Sequence, residues 1–142
     1  MTGSFAEIRA HIETKVNDAF QALSPAVPCV WDNVQETPPA LPYVVCLISY
    51  LDTTIPTVCV TDGAVEQING NLQLSIYVPR GQGMKALEEY SATAMTVMNT
   101  LFDWGGAVKV KAGQINGPVP LLSGDQPYAL ATISCPFIAS VD

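Results

Sequence analysis

Charge is scarce in this chain. Lysine plus arginine number 6 and aspartate plus glutamate 13, together 13% of 142 residues. That is about half the ~25% usual for a soluble domain. The shortage is mostly of cations, leaving a net charge of −7 and a pI near 4.4. A nucleic-acid binder that works through a basic face is thereby excluded. Histidine occurs once, as His11. It stands one helical turn from both Glu7 and Lys15, the spacing of a solvated i,i+4 ladder rather than of a catalytic base. No CxxC or zinc-ribbon spacing links Cys29, Cys46, Cys59 and Cys135. Each sits among β-branched or apolar neighbours, so buried thiols in a reducing cytosol are expected. The longest charge-free run, Gln126 to Val141, contains two prolines and falls short of the ~20 apolar residues of a membrane span. The N-terminus carries Glu7, Arg9, Glu13 and Lys15, the wrong texture for a secretory signal.

What is present is apolar and patterned. Hydrophobic residues make up 49%, which excludes disorder and fits one domain over residues 1–142. Phe5, Ile8, Ile12, Val16, Phe20 and Leu23 recur at helical spacing. Ser4 with Glu7 resembles a capping box, and Pro25 marks the exit. A short strand is expected near Val27 to Trp31, then a Pro-rich loop to Pro42. Tyr43 to Leu51 is an unbroken apolar run, read as a strand buried on both faces. Val58-Cys59-Val60 is a possible extra strand, and Asn69-Gly70 a turn signal. Leu72, Leu74, Ile76 and Val78 then alternate with Gln73, Ser75 and Tyr77, the signature of a half-buried strand.

A second helix is expected over about Met84 to Phe102, with a stripe of Met84, Leu87, Ser91, Ala94, Met98 and Leu101. Val108, Val110 and Ala112 alternate with Lys109 and Lys111, a strand with one wet face. Gly117 to Gly124 reads as loop. Tyr128 to Val141 reads as a last strand, with Pro136 at a bulge or an edge. The fold class this gives is α+β: a mostly antiparallel sheet of about 4–6 strands with two helices packed on one face.

The residues supply little chemistry. Glu88 and Glu89 are adjacent on a helix and diverge by about 100°. Arg80-Gly81-Gln82-Gly83 precedes a helix but lacks the phosphate-loop pattern GxxxxGK[ST]. Trp31 and Trp104 sit at element ends, as core lids or interface anchors. No catalytic residue, cofactor site or metal site is expected, and the chain reads as a non-enzyme. With so few surface charges, self-association or a stable partner is expected.

The order of landmarks resembles the tail terminator proteins of long-tailed bacteriophages. Those landmarks are the N-terminal amphipathic helix, Val30-Trp31-Asp32-Asn33, and the Pro-rich loop into Pro42-Tyr43. Next come Gly70 to Pro79, a Gly-containing turn, an Ala-rich helix and Gly117-Pro118. The chain closes on Tyr128 to Cys135-Pro136-Phe137. The resemblance implies a virion protein of the tail and neck, assembled in the host cytoplasm. It implies a hexameric ring that caps the tail tube and stops its polymerisation. It further implies contact with the tail tube protein and with a neck or head-completion protein, DNA passing through the channel without sequence-specific binding, and no membrane. The candidate contacts are three segments: Leu51 to Gln67, the Arg80–Gly83 turn and the Gly117–Gly124 loop. Within and near them the interface candidates are Asp52, Asp62, Glu66, Arg80, Gln82, Trp104, Leu121 and Asp125. Alternatives are another neck or connector protein (a stopper or joining protein), or a small cytosolic ligand-binding domain.

Overall fold

The computed structural model describes residues 4–23, 26–32, 41–54, 67–81, 84–103, 108–121 and 128–141. Two helices, α1 (Ser4–Gln21) and α2 (Lys85–Asn99), accompany seven strands among these residues. The strands are β1 (Cys29–Val30), β2 (Tyr43–Thr54), β3 (Gln67–Pro79), β4 (Phe102–Asp103), β5 (Val108–Ala112), β6 (Asn116–Leu121) and β7 (Tyr128–Val141). The sheet runs β1-β2-β3-β7-β5-β4, with β6 also paired to β7. Only β1 against β2 is parallel among the described pairs. The α+β expectation therefore holds. The strand count exceeds six because β1 and β4 are two-residue strands.

Both helices lie on one face, where the core is. Ile8, Ile12, Val16 and Phe20 of α1 are fully buried, as are Leu87, Ala94 and Met98 of α2. They meet the inward residues of β3 (Ile68, Leu72, Leu74, Ile76) and β7 (Ile133, Cys135, Phe137, Ala139). The buried Ser91 hydroxyl donates to the Leu87 carbonyl at 2.7 Å, so no polar group is orphaned there. Trp31 packs partly buried against this core, as a lid.

Several expectations are corrected. Asn69-Gly70 is not a turn; both residues lie inside β3, opposite β2 and β7. Gly70 is needed for packing, because a Cβ there would stand 2.4 Å from Cζ of Phe137 and 2.8 Å from the Ser49 carbonyl oxygen. The second helix stops at Asn99. Phe102 joins β4 instead, paired with Lys111, and the Leu101 carbonyl accepts from the Ala112 N–H at 2.8 Å. Residues 117–121 belong to strand β6 rather than to a loop. Its two prolines are tolerated because β6 pairs with β7 alone and forms a sheet edge.

Pro136 lies in an interior strand, not at an edge. Its carbonyl accepts from the Gly113 N–H at 2.7 Å, so its missing N–H falls on the β5/β6 side. There three residues, Gly113 to Ile115, lie between paired positions opposite two, Pro136 and Cys135. This irregularity is the bulge that accommodates the proline.

The most consequential correction concerns β2. Val44, Cys46 and Ile48 are buried, whereas Leu47, Ser49 and Leu51 are exposed. Two helices cover one face of the sheet, and no described element covers the other. The possible strand Val58-Cys59-Val60 lies outside the described residues.

Candidate interaction surface

The open face is defined by register. Across β2, β3, β7 and β6, one row is Val45, Ser75, Thr132 and Val119. The next is Leu47, Gln73, Ser134 and Asn116. Ser49, Asn71 and Pro136 follow, and Asp52, Asn69, Ile138 and Lys111 close that end. At the opposite end Tyr43 pairs with Tyr77 in register, and their rings stack at 4.8 Å with an interplanar angle of 16°. Tyr128 meets Tyr77 edge-on at 4.9 Å and 70°. These are favourable aromatic geometries, each contributing about 0.5–1.5 kcal/mol beyond area burial. Partial burial, reinforced by the neighbouring phenols, raises the pKa of Tyr43 and Tyr77 above the ordinary 10.0. Tyr43 and Tyr77 are therefore neutral at physiological pH.

Charge on this face is confined by register to one end, at Asp52, Lys109 and Lys111. The three long strands β2, β3 and β7 contain one charged residue, Asp52. Large apolar side chains stand in water: Leu51 is 70% exposed, Val119 63%, Leu47 41% and Ile138 38%. Leu51, Ile138, Lys111, Gly113 and Pro136 are among the residues that line an apolar groove of about 310 Å³. The centre is polar but uncharged. Gln73 Nε2 approaches Ser75 Oγ at 3.5 Å, and Ser75 Oγ lies 3.5 Å from Thr132 Oγ1. Exposed apolar area of this kind marks contact surfaces rather than ordinary solvent faces.

At the sheet's β1 edge a polar cluster ties α1 to β2. Arg9 Nη1 donates to Asp32 Oδ2 at 2.8 Å and to Glu13 Oε2 at 3.2 Å, and Nη2 donates to the Ile48 carbonyl at 3.1 Å. The Ile48 N–H donates to the same Asp32 oxygen at 2.9 Å. Both backbone groups of Ile48 are thus occupied by side chains, which closes that stretch of edge to strand addition. Beside it, the Tyr50 hydroxyl donates to the Phe5 carbonyl at 3.0 Å, with the rings edge-on at 4.7 Å. Phe5 therefore leaves the helix core stripe and is 46% exposed.

Burial, complete for Cys46 and Cys135 and partial for Cys29, raises the pKa of the described thiols. Desolvation pushes Cys29 and Cys135 up to about 11 and raises Cys46 as well. Cys59 lies outside the described residues. No group of three or more histidine, cysteine or acidic side chains that could hold a metal ion occurs among the described residues.

The structure does not gather the interface candidates named from sequence. Asp52 lies at the Thr54 end of β2, paired with Asn69. Arg80 follows β3 in an exposed turn at the opposite end of the sheet, where Leu121 pairs with Leu130. Asp62, Glu66, Gln82, Trp104 and Asp125 lie outside the described residues. The residues that reading missed are those of the open face, Tyr43, Leu47, Tyr77, Val119 and Ile138. Their signal was present: the odd positions of Tyr43 to Leu51 are as apolar as the even ones, while the sequence offers only two helices to cover a sheet.

No family profile and no curated protein matches the chain. Twenty-one chains of solved structures do. One is similar at a TM-score of 0.69 and 27% identity, over 93% of this chain and 92% of its own. Its name states no activity, ligand or assembly. The likeness spans both helices and the sheet, and it carries no information about function. No helix among the described residues is long and apolar enough to cross a membrane.

Proposed function

We propose that this chain is a structural assembly subunit of the phage tail-terminator type, a ring-forming protein that caps a tail tube and stops its growth. The observation that carries the reading is the open sheet face. A chain of net charge −7 keeps charge to one end of this sheet face and leaves Leu47, Leu51, Val119 and Ile138 in solvent. Such a face is built to be covered. The whole-chain run of landmarks gives that covering its context. The α+β architecture, with two helices on one side of the sheet, agrees with the resemblance.

In this role the protein performs no chemistry. Its work is contact: with copies of itself, with the last ring of tail tube protein, and with a neck or head-completion protein. Six copies at −7 each form a strongly acidic ring. Acidic side chains on a channel wall repel phosphates, which lets DNA slide without sticking. The test polymerises the cognate tail tube protein with and without this chain. Tubes of limited length with the chain at one end support the reading; tubes of unchanged length without bound chain sink it. A neck stopper instead binds the portal side and leaves tube growth untouched.

The groove beside Leu51 and Ile138 favours one further reading, a small ligand-binding domain, since about 310 Å³ is at the lower limit of ligand sites. A thermal shift with a metabolite panel, in the absence of any assembly, would select it.

A further inference from the structure

We infer that Tyr43 and Tyr77 form an oxidative modification site, a pair poised to couple into a dityrosine that staples β2 to β3. The chemistry needs no partner protein and lies wholly at the aromatic end of the sheet.

Register and ring geometry select the pair. Tyr43 and Tyr77 stand directly opposite each other on neighbouring antiparallel strands, where side chains on one face meet. Their ring centroids are 4.8 Å apart and the planes are only 16° from parallel. Phenoxyl radicals couple at the ring carbons ortho to the hydroxyl. In a near-parallel stack, a small slide of one ring over the other brings those carbons together. Tyr128 lies almost as close to Tyr77, at 4.9 Å, but crosses it at 70°, so that pair must first turn a ring. Tyr50 meets Phe5 and Phe137 instead, and phenylalanine has no hydroxyl to yield a phenoxyl radical. The three clustered tyrosines are half-buried. They are open enough to be oxidised and packed enough to keep their partners.

The step balances with a peroxide as the oxidant. Both phenols are neutral at physiological pH, so each gives up one electron together with one proton. The two radicals form one carbon–carbon bond. The hydrogen on each coupled carbon then moves to the oxygen of its own ring, which restores both phenols. The two electrons and two protons reduce hydrogen peroxide to two molecules of water.

The position of the bond gives it an effect. The chain leaves β2 at Thr54 and enters β3 at Gln67, so Tyr43 and Tyr77 stand at the open end of this strand pair. A bond there closes a loop of about 35 residues. Constraining the unfolded chain on that scale raises the melting temperature by roughly 10 °C.

The test treats the whole chain with a haem peroxidase and hydrogen peroxide. Products are sorted by size on a denaturing gel, mapped by peptide mass and dityrosine fluorescence, and compared in thermal denaturation with untreated protein. The wild-type chain should carry a bond within one molecule, two hydrogens lighter, between the peptides of Tyr43 and Tyr77, and should melt higher. Tyr43→Phe and Tyr77→Phe keep the stacked rings and remove one hydroxyl each. Both should melt like the wild type before treatment and lose the product at least ~10-fold. Tyr128→Phe should retain it. Four results overturn the inference: no coupling in the wild type, coupling only between separate chains, a bond mapped to Tyr77 and Tyr128, or a cross-linked chain that melts no higher than the untreated one.

Discussion

Replacing Asp32 with alanine removes one carboxylate oxygen that serves two donors. The Ile48 N–H at 2.9 Å loses its side-chain acceptor, and Arg9 Nη1 loses the shorter of its two carboxylate contacts, 2.8 Å against 3.2 Å to Glu13. A hydrogen bond between charged groups contributes about 1.5–3 kcal/mol net, and an amide left without a partner adds about 1 kcal/mol. Side-chain exposures of 31% for Arg9 and 22% for Asp32 admit water, which places the sum toward the low end. The expected loss is about 2–3 kcal/mol. For a domain of this size it lowers the melting temperature by roughly 8 °C. Arg9→Ala should cost less, about 1–1.5 kcal/mol, because Asp32 keeps its bond to Ile48. Asp32→Asn should be milder still, since the amide oxygen remains an acceptor. Urea denaturation of the four proteins, with an unchanged m-value, gives the differences directly. A loss below about 0.5 kcal/mol for Asp32→Ala would refute the reasoning, because it would show that water replaces the carboxylate at no cost. The same variant uncovers the β2 edge at Ile48, so it should also aggregate more readily on standing.

Gly70→Ala should destabilise by about 2–3 kcal/mol through overpacking, because the new methyl meets both the Phe137 ring and the Ser49 carbonyl oxygen; thermal denaturation checks this, and a neutral substitution would contradict the packing of Phe137. Gly117→Ala should cost about 1–3 kcal/mol, since φ is +106° and the Cβ would stand 2.6 Å from the Thr132 carbonyl oxygen. In a protein with Cys59 replaced by serine, alkylation at pH 8 should leave Cys29, Cys46 and Cys135 unlabelled until urea is added. Their raised pKa values keep the thiols protonated well above the ordinary 9.0, and rapid native labelling would contradict their burial. The same shifts give a sign for pH. The unfolded chain releases these protons near pH 9 while the folded chain holds them, so stability should fall as pH rises from about 9 toward 11. Stability that stays flat across that range in the wild type would contradict this.

The parts of the fold that repeat at a fixed period were legible in the sequence. The α1 stripe from Ile8 to Phe20 and the alternation Leu72 to Val78 lie where periodicity puts them, because burial follows spacing in both elements. Residues whose role depends on a distant partner were not legible. Gly70 reads locally as a turn, and only the Phe137 ring across the ladder makes it a packing residue. Pro118 and Pro120 read as loop, and only the pairing of β6 with one neighbour allows a strand there. Tyr43 to Leu51 has no polar alternation, so the run looked buried on both sides. The open face is apolar without being part of the core, and a single chain's pattern does not separate the two. The interface candidates named from loops were chosen for sequence position. The face that the register assembles is drawn from strands far apart in the chain.

The central claim is that this protein is an assembly subunit that ends a tube, and electron microscopy of tube termini tests it most directly. Tubes polymerised from the cognate tail tube protein in the presence of this chain should carry one ring at one end, with six-fold averages and an open centre. Tube ends that are bare, or bound at random along their length, would contradict the account.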